Sequence, residues 1–135
     1  MGGHRIVIVD DHPLFRDALG QALRGALGRP EIRQAGTIDE LTSILGEDSD
    51  VDLVLLDLNM PGVQGFSGLL FLRAQFPQIP VVIISAMEDE TAIRRAMDFG
   101  ASGYVPKSHP IDSMRAAVQA VLDGEIWIPP DVDLA

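Results

Sequence analysis

Three runs of four consecutive apolar residues constrain this chain more than any other feature: Ile6-Val7-Ile8-Val9, Leu53-Val54-Leu55-Leu56 and Val81-Val82-Ile83-Ile84. A strand with one wet face alternates polar and apolar residues, whereas a strand covered on both faces is apolar throughout. The runs are short, largely β-branched and followed by polar or turn residues, so they are read as central parallel strands packed between helices. Two weaker runs, residues 31–35 and 103–105, bring the expected strand count to five.

The intervening segments carry helix signals. A helix over about residues 13–27 opens with Pro13, which suits a first turn because its missing N–H has no partner to lose there. A second, residues 38–45, follows Thr37 with Glu40 three positions on, the pattern of a capping box. Pro77 enforces the end of a third at residues 66–76, Gly100 stops a fourth at 90–99, and the last runs from Pro110 to about Asp123. Strict alternation of five strands and five helices predicts an α/β fold, a five-stranded parallel sheet doubly wound by five helices in a flavodoxin-like manner, and one such order, 2-1-3-4-5, places strands 1 and 3 together at the switch point. Pro106, at the end of the fifth strand, suits an edge position.

Composition narrows the function classes. The chain has 135 residues, enough for one domain, and no cysteine, which excludes disulfides and Cys-ligated metals. A net charge of −10 repels polyanions, so DNA binding would require a further domain. No apolar run reaches membrane-spanning length and no signal-peptide pattern opens the chain; a cytoplasmic protein is expected.

In such a sheet, ligands bind at the C-terminal ends of the strands. Those ends carry Asp10 and Asp11, Asp57, Ser85 and Lys107. One aspartate after a strand is commonly a turn residue, but three gathered carboxylates repel unless a cation neutralises them. Oxygen ligands alone, with no obvious histidine among them, point to a hard ion, Mg²⁺ or Mn²⁺. Lys107 and Ser85 supply the charge and the hydroxyl donor that phosphoryl oxygens require.

The acidic pair Asp10-Asp11, residues 57–65 (DLNMPGVQG), Ser85-Ala86 and residues 104–107 (YVPK) together resemble response-regulator receiver domains, from Ile6 to about Ile128. The resemblance implies that Asp57 accepts phosphate from a sensor histidine kinase or phosphotransfer protein. It implies that Asp11 binds Mg²⁺ directly, Asp10 largely through water, and the Asn59 backbone carbonyl completes the ligands. Lys107 would pair with the phosphoryl group, Ser85 would move to it, and Tyr104 would turn inward. Residues 10–16 (DDHPLFR), 100–104 (GASGY) and 124–130 (GEIWIPP) are further similar to NarL/LuxR-type regulators. That likeness implies a receiver over residues 1–128, a linker beginning at 129–135, and a helix-turn-helix domain beyond it controlling transcription. Mixed charges at Asp89, Glu90, Arg94, Arg95, Asp112 and Arg115 suggest a homodimer through the fourth helix, fifth strand and fifth helix.

Departures from the pattern are Ser108, where a proline often follows the lysine, and Met87, which cannot orient an attacking water. Two other classes fit part of the sequence. A phosphohydrolase with an aspartyl-phosphate intermediate would use Asp57, but Asn59 lacks the acid two positions on that such chemistry wants. A flavodoxin-like cofactor binder would need a Gly-rich loop where Asp10-Asp11-His12-Pro13 stands.

Overall fold

Strands and helices alternate without exception: β1 (Arg5–Val9), α1 (Pro13–Ala26), β2 (Glu31–Ala35), α2 (Ile38–Glu47), β3 (Leu53–Asp57), α3 (Ser67–Gln75), β4 (Val81–Ser85), α4 (Glu90–Asp98), β5 (Gly103–Pro106) and α5 (Ile111–Leu122). The structure is a computed structural model and describes residues 3–48, 50–60 and 65–132. The five strands form one parallel sheet in the order β2-β1-β3-β4-β5, the order expected.

The apolar runs are buried on both faces because successive strand residues point to opposite sides. Ile6, Ile8, Leu53, Leu55, Val82 and Ile84 pack with Leu19 and Leu23 of α1 and Met114, Ala117, Val118 and Val121 of α5. Val7, Val9, Val54, Leu56, Val81 and Ile83 face the other way, onto Leu41, Ile44 and Leu45 of α2, Leu69 and Leu72 of α3, and Ala92, Ile93 and Ala96 of α4. At roughly 1.5–3 kcal/mol for each large aliphatic side chain, these two layers dominate the folding free energy.

Element ends differ from the sequence reading by one or two residues. The ladder runs one residue further in three strands, through the pairs Asp57 with Ile84 and Ser85 with Pro106. Two polar residues expected just beyond the strands are therefore inside the sheet. Phe66 and Pro110 are caps rather than first helical residues; Pro110 has an extended ψ of 153°. Of the expected capping box, Thr37 contributes its half, accepting from the Glu40 N–H at 3.1 Å, while Glu40 turns its carboxylate to the Thr37 hydroxyl. Gly100 ends α4 at φ +100°, a conformation that favours glycine.

β5 is an edge strand, but its outer side is not bare: Tyr104 N–H donates to Trp127 O, and Trp127 N–H to Ser102 O. Lys107 N–H, by contrast, bonds inward to Ser85 O at 2.7 Å. Pro106 shares the outward parity of Tyr104, so the donor it lacks is one the sheet does not use.

Candidate functional site: an acidic pocket at the sheet switch point

The chain leaves β1 towards α1 on one face of the sheet and leaves β3 towards α3 on the other. The two strands are neighbours, so a crevice opens between their C-terminal ends. Asp10 follows β1 and Asp57 ends β3, and both are only 1% exposed. Lys107, directly after β5, reaches back across β4. Its ammonium lies 2.8 Å from Asp10 Oδ2 and 3.3 Å from Asp57 Oδ2, with the face of Phe15 4.9 Å away. Asp57 Oδ1 accepts from the Asn59 backbone N–H at 2.9 Å, which orients the carboxylate and leaves Oδ2 facing the lysine. Arg16 of α1 donates to the Asp10 carbonyl and to Gln34 of β2, fixing the β1–α1 turn.

The electrostatics are strained in one direction. Burial pushes the Asp57 carboxyl above its ordinary range, the Asn59 N–H opposes this, and the Asp10 charge adds to the rise. For Lys107, burial alone would favour the neutral amine, but its bond to Asp10 and the charges of Asp57 and Asp10 outweigh it, and its pKa is raised. Lys107 is therefore held as a cation at neutral pH. One lysine does not satisfy the cluster: Asp10 Oδ2 meets only the Lys107 ammonium, at 2.8 Å, and Asp11 Oδ1 only the His12 ring nitrogen, at 3.1 Å. Buried acceptors with so little positive charge around them are costly, and a divalent cation would relieve them. One ligand atom each from Asp10, Asp11, Asp57 and His12 can be chosen so that all lie within 4.8 Å of one another, so this pocket could hold a metal ion.

His12 was not among the expected ligands. It is the N-cap of α1, and its backbone N–H donates to Asp10 Oδ1 at 2.8 Å. That turn aims the imidazole inward: Nδ1 stands 3.0 Å from Asp10 Oδ1 and 3.1 Å from Asp11 Oδ1. The available signal was Pro13, which fixes the helix start and hence makes His12 the cap.

The remaining expected residues line the β4 side. Ser85 is buried; its Oγ donates to Asn59 Oδ1 at 3.1 Å and accepts from Met87 N–H at 3.0 Å. Asn59 Oδ1 also accepts from Ala86 N–H at 3.0 Å, so the amide ties the loop after β3 to the loop after β4. The sequence reading had given Asn59 a backbone carbonyl ligand and had not placed its amide between the two loops. Tyr104 is fully buried, with its hydroxyl donating to Met87 O at 2.9 Å. It already stands inward. Burial raises its pKa, a Ser85 hydrogen bond opposing and the Asp89 charge adding. Residues 61–64 of the DLNMPGVQG segment and residues 133–135 of the expected linker lie outside the described residues. Among the charges expected at a dimer face, Asp89 caps α4 through Ala92 N–H, Asp112 pairs with Arg115 at 2.7 Å, and Glu90, Arg94 and Arg95 are exposed.

The profile described as "Response regulator receiver domain" matches residues 6–119. The chain is 41% identical over 129 residues to the glycerol metabolism activator of Pseudomonas putida, covering 96% of this chain and 58% of that protein. It is 34% identical to the transcriptional regulatory protein DegU of Brevibacillus brevis, covering 95% of this chain and 54% of the relative. It thus spans little more than half the length of these relatives. Among solved structures, a LuxR-family two-component response regulator from Aurantimonas sp. SI85-9A1 superposes with a TM-score of 0.86 at 27% identity, covering 97% of this chain and 92% of the other. The signal receiver domain of a NarL response regulator from Mycobacterium tuberculosis gives 0.80 at 27% identity, over 93% and 100%.

Proposed function

Starting from the fact that this chain belongs to the response regulator receiver domain family, we propose that it is switched by phosphorylation of Asp57. Receiver domains are signalling switches and not metabolic enzymes, and the family implies a kinase or other phosphodonor as partner. The observation that carries the assignment is the placement of Asp57: a buried carboxylate at the switch point, oriented by Asn59 N–H and facing Lys107 Nζ at 3.3 Å.

In the proposed reaction an Asp57 oxygen attacks phosphorus. The bond from phosphorus to the donor breaks, and its electron pair leaves with the donor. Lys107 offers a fixed positive charge to the incoming oxygens and Ser85 a hydroxyl donor, both in a water-poor pocket where such contacts are strong. Asp10, Asp11, Asp57 and the Asn59 backbone carbonyl would hold Mg²⁺, or Mn²⁺, whose charge would offset that of the phosphoryl group. Tyr104 is already inward, so the part of the switch left to move is Ser85. Leaving Asn59 for a phosphoryl oxygen would remove one of the two hydrogen bonds that tie the loops, with the Ala86 N–H bond remaining, and would bias the packing of α4, β5 and α5.

Residues 1–128 would form the receiver and 129–135 the start of a linker to a DNA-binding domain. The output would be control of transcription, with the donor a sensor histidine kinase or phosphotransfer protein and a cytoplasmic setting. The described residues contain no helix long and apolar enough to cross a membrane. A homodimer through α4, β5 and α5 would use the exposed Arg94 and Arg95. The phosphohydrolase alternative is disfavoured because Asn59 offers no acid and its amide is engaged by Ser85 and Ala86. Intact-mass analysis after incubation with acetyl phosphate tests the proposal. Wild type should gain one phosphoryl group only when Mg²⁺ is present, and Asp57→Asn none. Uptake by Asp57→Asn would defeat it.

A further inference from the structure

We infer that His12 is a direct metal ligand of this pocket, and that the site is therefore tuned towards ions that accept nitrogen, such as Mn²⁺, over Mg²⁺. The inference rests on the acidic pocket being a metal site, and adds to it a ligand of a different chemical kind.

Three observations converge. The first is distance: His12 contributes a ring nitrogen to the set of four ligand atoms that lie within 4.8 Å of one another. The second is aim. Pro13 sets the first turn of α1, His12 is its N-cap, and the backbone N–H of His12 is anchored on Asp10 Oδ1, so Nδ1 is directed between Asp10 and Asp11. The third is the state of the partners. Asp10 is only 1% exposed, yet its Oδ2 has no neighbour of opposite charge but the Lys107 ammonium at 2.8 Å, and the buried Asp11 Oδ1 faces only the imidazole nitrogen at 3.1 Å, so a lysine and a histidine stand against three carboxylates.

A neutral imidazole can carry its proton on either nitrogen. The His12 side chain is 63% exposed, so the proton can reside on Nε2 with solvent as acceptor, which frees the Nδ1 lone pair for a metal. Carboxylates suit Mg²⁺ and Mn²⁺ alike, whereas an imidazole favours first-row transition ions in the order Mn²⁺ below Co²⁺ below Ni²⁺. Mg²⁺ keeps water in preference to nitrogen, so His12 should matter little to it.

The test is pulsed electron paramagnetic resonance of Mn²⁺ bound to tag-free protein, with parallel calorimetric titrations of Mn²⁺ and Mg²⁺, in wild type and His12→Gln. Modulation from a directly bound ¹⁴N is expected in wild type and absent in His12→Gln with Mn²⁺ still bound. The ratio of Mn²⁺ to Mg²⁺ affinity should fall about tenfold in the variant. Mn²⁺ bound to wild type without ¹⁴N modulation, or modulation that survives in His12→Gln, overturns the role of His12 and leaves the metal pocket standing. If neither ion binds wild type, both this inference and the metal-dependent reading beneath it fail.

Discussion

Leu55 and Asp57 lie two residues apart on β3, point to the same side of the sheet by parity, and are almost equally hidden, at 0% and 1% exposure. Burial has opposite consequences for the two. Around Leu55 it removes apolar surface from water and is the main source of stability. Around Asp57 it strips a carboxylate of solvent, sets it near Asp10, and raises its pKa. The body of the sheet therefore stabilises its own ends, where carboxylates are held close together in an arrangement that favours the arrival of a cation. Function on this fold is confined to one rim because the crossovers seal the strand interiors and leave the C-terminal ends open.

The largest expected effect breaks the apolar side of the comparison. Leu55→Ala should cost about 2–5 kcal/mol, the usual range for a leucine removed from a packed core. Thermal unfolding should show a fall in Tm of at least about 8 °C. A change of a degree or less would mean that the layer between β3 and α5 is not packed as described.

An intermediate effect is expected at the rim. Lys107→Ala leaves Asp10 and Asp57 facing each other without their ammonium, and should cost about 1–3 kcal/mol in EDTA, less than for a fully enclosed pair because Lys107 is one-fifth exposed. Added Mg²⁺ should recover most of that loss by binding the folded state, and should stabilise wild type as well. If Mg²⁺ shifts neither Tm, the carboxylates do not form a metal site.

The smallest effect has the opposite sign. Because burial raises the pKa of Asp57 in the folded state, the folded protein binds that proton more tightly than the unfolded chain. The stability this gives is complete below the ordinary carboxyl pKa of 3.8 and is lost as pH rises through the folded-state value. Asparagine has no such proton to lose. In EDTA at neutral pH, Asp57→Asn should therefore melt a few degrees above wild type, and the gap should close as pH is lowered towards about 4. A variant less stable than wild type at neutral pH would show that Asp57 contributes more through its lysine contact than it costs by burial.

The contrast between strand body and strand end also governs what the sequence disclosed. Apolar runs such as LVLL are visible as strings, so the strands and the doubly wound parallel sheet followed from local pattern plus the handedness of the crossovers, and 2-1-3-4-5, one of the orders such a sheet can take, brought Asp10, Asp57, Ser85 and Lys107 to one edge. Side-chain direction was not legible in the same way. That His12 Nδ1 turns between two carboxylates depends on the backbone bond from its own N–H to Asp10, and that Asn59 binds Ser85 and Ala86 depends on two loops meeting across strands 26 residues apart in sequence. The pairing of Trp127 with the outer edge of β5 was likewise hidden, since Ile126, Trp127 and Ile128 form only a short apolar run after Gly124. Propensity and periodicity report the class of an element, whereas such contacts are set by tertiary packing.

The central claim is that Asp57, and neither Asp10 nor Asp11, takes the phosphoryl group. Borohydride reduces an aspartyl phosphate to homoserine, which marks the acceptor permanently. Wild type phosphorylated with acetyl phosphate and Mg²⁺, then reduced, digested and mapped by peptide mass spectrometry, should carry homoserine at residue 57 alone. Homoserine at residue 10 or 11, or phosphoryl uptake with residue 57 still aspartate, would contradict the account.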